Sequence, residues 1–129
     1  PQALPPKRQS EGAAGYDLYS AEDIIIPKAS RGLVDTGLRM EFGNDVYGRI
    51  APRSGLAVKG IDVGAGVIDS DYTGRVKILL INNSDKDYHV EFNSRIAQLI
   101  LECIATPDVE IVTTIRDTIR GSGGFGSTG

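Results

Sequence analysis

Polar and apolar residues alternate over 32–42. Leu33, Asp35, Gly37, Arg39 and Glu41 fall on one side, and Val34, Thr36, Leu38, Met40 and Phe42 on the other. A period of two marks a half-buried strand. Further strands are expected at 23–27, closed by Pro27, and at 46–51, 66–69, 75–82, 88–92, 97–104 and 109–114. Turn-forming clusters separate them, among them Gly43-Asn44-Asp45, Asn82-Asn-Ser-Asp85 and Thr106-Pro107-Asp108. No long segment carries a helical stripe, and the one helical expectation is the short stretch 54–59. Many short strands with close turns predict an all-β chain, a jelly-roll-like β-sandwich or barrel with one short helix.

Two runs, 76–81 and 96–104, are apolar at nearly every position. They predict strands buried on both faces, and so favour a homo-oligomer. Cys103 lies in the second run and is expected to be a buried small hydrophobe.

At 129 residues the chain forms one domain. The core is aliphatic, since Trp is absent and aromatics make up only 6%. A net charge of −3 argues against a nucleic-acid binder, which would need a basic face. A single cysteine excludes an internal disulfide and suits a reducing compartment. No apolar run is long enough to span a membrane, and the polar, proline-rich stretch 1–11 lacks the apolar segment of a signal peptide. These features predict an intracellular protein, cytoplasmic or nuclear, with 1–11 as a flexible leader.

Five segments can carry chemistry. In Ala13-Ala-Gly-Tyr-Asp-Leu-Tyr19, the lone Asp17 is either a turn carboxylate or a cation ligand, direct or through water. Arg53, Ser54 and Gly55 follow Pro52, and offer a guanidinium, a hydroxyl and free backbone N–H groups to an anion. Residues 64–74 read as a β-hairpin turning near Ser70-Asp71. Asp69 there is a candidate base, and Tyr72 a surface for a sugar. Arg95 and Gln98 interrupt an otherwise apolar strand and need partners. Last come Arg120, Phe125, Gly126, Ser127 and Thr128 in a glycine-rich tail. It offers a phosphate fork, a flat apolar face, hydroxyls and open backbone. As a set they suit metal-assisted attack of water on a nucleotide phosphate, and neither a P-loop nor a Ser-His pair is present.

At these residues the chain resembles the trimeric deoxyuridine triphosphatases, the dUTPases. Five ordered motifs correspond: 13–19, 52–57, 66–74, 95–100 and 120–129. The segment 48–57 is similar to eukaryotic and large-DNA-virus members. Residues 8–10 and 80–83 resemble poxvirus members.

The resemblance implies a jelly-roll homotrimer that cleaves dUTP to dUMP and pyrophosphate, which keeps uracil out of DNA and supplies dUMP. The domain would end near residue 119, and the mobile arm 120–129 would close a neighbouring site. Asp69 would activate water, and Tyr72 would lie under the sugar and exclude a 2′-OH. The backbone of Gly66, Val67 and Ile68, with that near Lys77, would read uracil. Arg53, Ser54, Gly55 and Gln98 would bind the α- and β-phosphates. Arg120 would clamp the γ-phosphate, Phe125 would cap the base, and Gly126, Ser127 and Thr128 would close over the phosphates. Mg²⁺ would sit on phosphate oxygens, with Asp17 reaching it through water.

Three features depart from the family pattern. Asn93-Ser94 stands where Gly-Asp is usual and predicts a looser turn. Arg75 replaces Glu or Asn, and the 58–61 loop is short. Competing readings are a dCTP deaminase, which lacks its expected Glu here, a non-enzymatic nucleotide- or protein-binding trimer, and a purely structural trimer.

Overall fold

The computed structural model describes residues 3–127. Nine strands and one helix follow in order: β1 (Tyr16–Tyr19), β2 (Ile24–Ile26), β3 (Ser30–Asp35), β4 (Val46–Ala51), α1 (Ser54–Val58), β5 (Ile61–Gly64), β6 (Val67–Ile68), β7 (Lys77–Asn82), β8 (Tyr88–Val90) and β9 (Arg95–Cys103). All pairings are antiparallel. They form three sheets, ordered β1-β9-β4-β6, β3-β7-β5 and β2-β8. The result is a jelly-roll-like β fold with one minor helix, and no barrel closes among the described residues.

Alternation fixes which side of each strand faces inward. On β7, Ile78, Leu80 and Asn82 are buried, while Lys77 is exposed and Leu79 and Ile81 are half-buried. Together with Leu18, Val34, Ile50, Val90, Ile96 and Leu99 they line the core between the sheets. The expectation of strands buried on both faces holds only at the start of β9, where the consecutive residues Ile96 and Ala97 are both buried; β7 buries a single face, and the outer end of β9, with Leu101 and Cys103, is exposed. Cys103 is thus not a core residue.

Asn82 is the polar hub of this core. Its amide donates to the carbonyls of Ile26 (3.0 Å), Pro27 (3.3 Å) and Lys86 (2.8 Å), and its oxygen accepts from the Ser84 N–H and hydroxyl. One side chain thereby ties β7 to β2 and to the turn before β8, and among the described residues no buried side-chain nitrogen or oxygen lacks a partner.

Two sequence expectations fail. The alternating stretch 36–42 continues past β3 without strand pairing. Residues 109–114 form no strand, and every residue from 103 to 122 is exposed. A strand needs a neighbour for its N–H and C=O groups, and this segment finds none in its own fold. Conversely β1 and β5 were not expected as strands. Each is four residues long and glycine-flanked, too short for periodicity to register.

Candidate active site

Strand register assembles the first cluster. Asp17 lies opposite Gln98 across β1 and β9, and Gln98 lies opposite Ala51 across β9 and β4. Arg53 follows two residues after Ala51. The sheet thus brings three separated motifs to one end. Both guanidiniums converge on Asp17, Arg53 Nε 3.5 Å from Oδ1 and Arg95 Nη1 3.5 Å from Oδ2. The Asp17 side chain is only 13% exposed. At this separation the pairs are loose, and the charges stay available to a ligand. Gln98 Nε2 donates to the Pro52 carbonyl at 3.0 Å, which aims its amide along the turn into α1.

Gly15 makes room for that arrangement. A Cβ there would lie 2.9 Å from Gln98 Cδ and 3.0 Å from Gln98 Cβ, and nearer still to the amide oxygen. Arg53 is extended as the N-cap of α1, with no side-chain cap on the helix. Exposed Ser54 and Gly55 therefore present uncapped N–H groups.

The turn at Asn93 is not loosened by its substitution pattern. Asn93 adopts a φ of 64°, a left-handed conformation that Asn tolerates better than most residues. Its N–H donates to Ser20 O (2.8 Å), and the Ser94 hydroxyl donates to Glu91 O (2.7 Å). The backbone that leads into Arg95 is fixed as a result. The short 58–61 loop also closes cleanly, with Gly60 N–H bonded to Ala57 O and Asn83 N–H to Gly60 O.

The second cluster surrounds a cleft. β6 pairs with β4, whereas β7 pairs with β3 and β5. The two arms of the 64–74 segment thus belong to different sheets. The expected hairpin is corrected to an open loop, whose turn is closed by Tyr72 N–H on Asp69 O at 3.1 Å. Between the arms lies a cavity of about 480 Å³, lined by Val67, Ile68, Asp69, Tyr72, Arg75, Val76 and Lys77. Gly66 starts the loop at a φ of 59°, so close to β4 that a Cβ would meet Ile50 O at 2.8 Å. Only glycine fits that approach.

At this end of β4, Glu102 accepts from the Tyr47 hydroxyl and from Arg49 Nε, both at 2.6 Å. These bonds hold its carboxyl below the usual range. Glu102 is occupied, and Asp69 is the carboxylate that lines the cleft.

The two clusters do not meet within one chain. Register places Ile68 opposite Gly48, so Asp69 falls level with Tyr47 near the start of β4, while Arg53 lies past its end. Six residues of extended chain separate these points, roughly 20 Å. The tail joins neither cluster. Arg120 Nε turns back to Gly123 O (2.6 Å), Ser127 Oγ accepts from Gly124 N–H (2.8 Å), and Phe125 is fully exposed, with Gly126 beside it. Thr128 lies outside the described residues.

Sequence reasoning missed Gly15, the Pro52 carbonyl and Val76 as parts of these sites. Gly15 carried a signal, a glycine between a small-residue pair and the apolar Tyr-Asp-Leu-Tyr stretch, which can mark close approach of another chain segment.

The profile of the dUTPase family matches residues 2–129. A deoxyuridine 5′-triphosphate nucleotidohydrolase of Paramecium bursaria Chlorella virus 1 is 59% identical, over 98% of this chain and 91% of its own length. The enzyme of that name from Yarrowia lipolytica is 57% identical over 98% and 83%, and that of cowpox virus 53% over 99% and 87%. Among solved structures, the dUTPase of Staphylococcus bacteriophage 80alpha with dUPNHPP superposes with a TM-score of 0.92, at 27% identity over 98% of this chain and 92% of that one. Matched along its length by profile, by sequence and by fold, the chain belongs to the dUTPase family.

Proposed function

We propose that the cleft between β6 and β7 holds the uracil and deoxyribose of dUTP, and that Asp69 prepares the water that attacks the α-phosphorus. The protein hydrolyses dUTP to dUMP and pyrophosphate, the reaction of the family to which it belongs. The observation that carries the site reading is the splay of β6 away from β7 around Asp69 and Tyr72. Unpaired arms leave a slot whose backbone edges, at Gly66, Val67 and Ile68 and again near Lys77, can pair with a base. A slot this narrow favours uracil, because cytosine mismatches its donors and acceptors and thymine adds a methyl.

Asp69 holds the water, takes its proton and also binds the sugar 3′-OH. Tyr72 packs against the sugar and leaves no space for a 2′-OH. Arg53, Ser54, Gly55 and Gln98 bind the α- and β-phosphates. Arg120 binds the γ-phosphate, Phe125 covers the base, and Gly126, Ser127 and Thr128 close the site. Pyrophosphate leaves in line with the attacking water.

Asp17 fits Mg²⁺ only as an outer partner. Among the described residues no three carboxylate, His or Cys side chains gather into a metal cage. Mg²⁺ characteristically keeps waters and binds one or two carboxylates plus substrate phosphates. Asp17, between two guanidiniums, would hold it through water. When bound, the ion neutralises phosphate charge.

The assembly that completes this site is a homotrimer. Two facts support it: the roughly 20 Å between Asp69 and Arg53 in one chain, and the exposed apolar residues Val109, Ile111, Ile115 and Ile119 in a segment without partners of its own. Another copy would supply the phosphate cluster, and a third the arm.

The test is pyrophosphate release with Mg²⁺ from dUTP, UTP, dTTP and dCTP. Release from dUTP alone is expected. Ammonia from dCTP would replace the reading with a deaminase, and no product from any would leave a binding protein. Deleting 120–129 should cost most of the activity and leave the trimer intact. Full activity in that variant would refute the role of the arm.

A further inference from the structure

Tyr72 does not hold its own position. Its hydroxyl donates to the Arg75 carbonyl at 2.6 Å, and its ring leans over Gly74 so closely that a Cβ there would meet the hydroxyl at 2.6 Å. The main chain of this loop is fixed from outside. Arg39 Nε donates to Thr73 O at 2.5 Å, and Arg75 Nη1 lies 2.8 Å from Asp35 Oδ2. Asp35 is fixed in turn, since its Oδ1 accepts from the Gly37 N–H at 2.8 Å. Between these anchors the backbone is stitched by Val76 N–H to Leu38 O and Thr36 N–H to Val76 O. The end of β3 and the extended chain after it thus form a splint along residues 73–76.

We infer that Asp35 and Arg39 are positioning residues for sugar selection. They clamp the loop at Arg75 and Thr73, and through the Arg75 carbonyl they hold the Tyr72 phenol at the height that rejects a 2′-OH. Neither residue lines the cleft, so neither touches substrate. The inference rests on the proposed place of Tyr72 under the sugar. A rigid platform discriminates between substrates that differ by one hydroxyl, and a platform free to drop by a fraction of an ångström does not. The Asp35–Arg75 pair is only partly screened, with side chains 20% and 56% exposed, so releasing it should loosen the platform without unfolding the loop.

The experiment measures kcat and KM for dUTP and for UTP in the full chain, with wild type, Asp35→Asn, Arg39→Met, Arg75→Met and Arg75→Lys. Asp35→Asn keeps the acceptor for Gly37, and Arg75 and Arg39 are exposed enough to replace safely. Assembly mass and thermal midpoint are checked for each.

In Asp35→Asn, Arg39→Met and Arg75→Met, the dUTP-over-UTP ratio of kcat/KM is expected to fall about fivefold, the scale of one partly exposed charge contact. The change should come mainly from a gain on UTP. Arg75→Lys, which retains the pair, should stay within about twofold of wild type. An unchanged ratio in the first three variants, or equal losses on both substrates, would overturn the inference alone. A wild-type enzyme that does not prefer dUTP over UTP would overturn the reading of Tyr72 as well.

Discussion

Replacing Gly15 by Ala tests how the phosphate cluster is built. The new methyl would overlap the Gln98 side chain, with Cδ at 2.9 Å and Cβ at 3.0 Å. Gln98 has to rotate away. It then loses its 3.0 Å bond to the Pro52 carbonyl, worth about 1 kcal/mol. Settling off its rotamer costs about 1 kcal/mol more. The stability loss should therefore be about 2 kcal/mol.

Activity should suffer more directly, because the displaced amide would no longer face the phosphates it is proposed to bind. KM for dUTP should rise about tenfold, the scale of one hydrogen bond to a charged group. The assay is urea denaturation at fixed protomer concentration, beside steady-state kinetics, for Gly15→Ala, Gln98→Ala and the double variant. In the Gln98→Ala background most of the clash is gone, although the 3.0 Å contact to the Cβ of residue 98 persists. The Gly15→Ala cost should fall by more than half there. An equal cost in both backgrounds would falsify the reasoning, and would mean that Gly15 is needed for its backbone rather than for the space it leaves.

Asp69→Asn should lower kcat by about three orders of magnitude while calorimetry still detects dUTP binding, since only the base is lost; turnover near the wild-type rate would remove Asp69 from the mechanism. Asn82→Ala removes one donor from each of three carbonyls, of which Pro27 O keeps the Ser30 N–H and Lys86 O the Ser84 hydroxyl, at a residue only 1% exposed, and should cost about 2 kcal/mol in urea with kcat unchanged in the folded fraction. A loss below about 1 kcal/mol would mean that water replaces the amide.

His89 Nε2 lies 2.6 Å from Asp23 Oδ1, and this bond raises the imidazole pKa and lowers that of the carboxyl. The stabilisation is therefore complete below the ordinary His value and fades as pH rises through the raised one. At the acid end it fades as pH falls through the lowered Asp23 value. His89→Gln should be less stable than wild type near about pH 5.5 and indistinguishable by about pH 9. A difference that persists at the higher pH would point to packing instead.

Local pattern made several elements legible. Val46–Ala51 is a mostly apolar stretch between the Gly43-Asn44-Asp45 turn and Pro52, interrupted by Arg49, and the strand has those bounds. The short helix starts at Ser54, where proline and glycine predict a turn into helical backbone. The sequence also carried the residue types of the site: a lone Asp17, an Arg-Ser-Gly step, and Asp69 with Tyr72. Partner choice was not legible, because register is a long-range property. Nothing local says that Gln98 sits between Asp17 and Ala51, or that β6 and β7 join different sheets and open a cleft instead of a ladder. Asp35 and Arg39 looked like ordinary solvent-side charges on an alternating strand, and only their contacts with residues 73–75 set them apart.

The separation of Asp69 from Arg53 along β4 has a genetic consequence. If one site draws its base from one subunit and its phosphate ligands from another, two dead proteins can repair each other. Chains that lack Asp69 and chains that lack Arg53 would each be inert, yet in mixed copies of the proposed trimer some sites would receive both intact parts. Random assortment of equal amounts would restore about a quarter of them. The same sharing makes damage infectious: a defective subunit disables sites whose remaining parts are sound, so one mutant allele can silence more activity than its share of the chains.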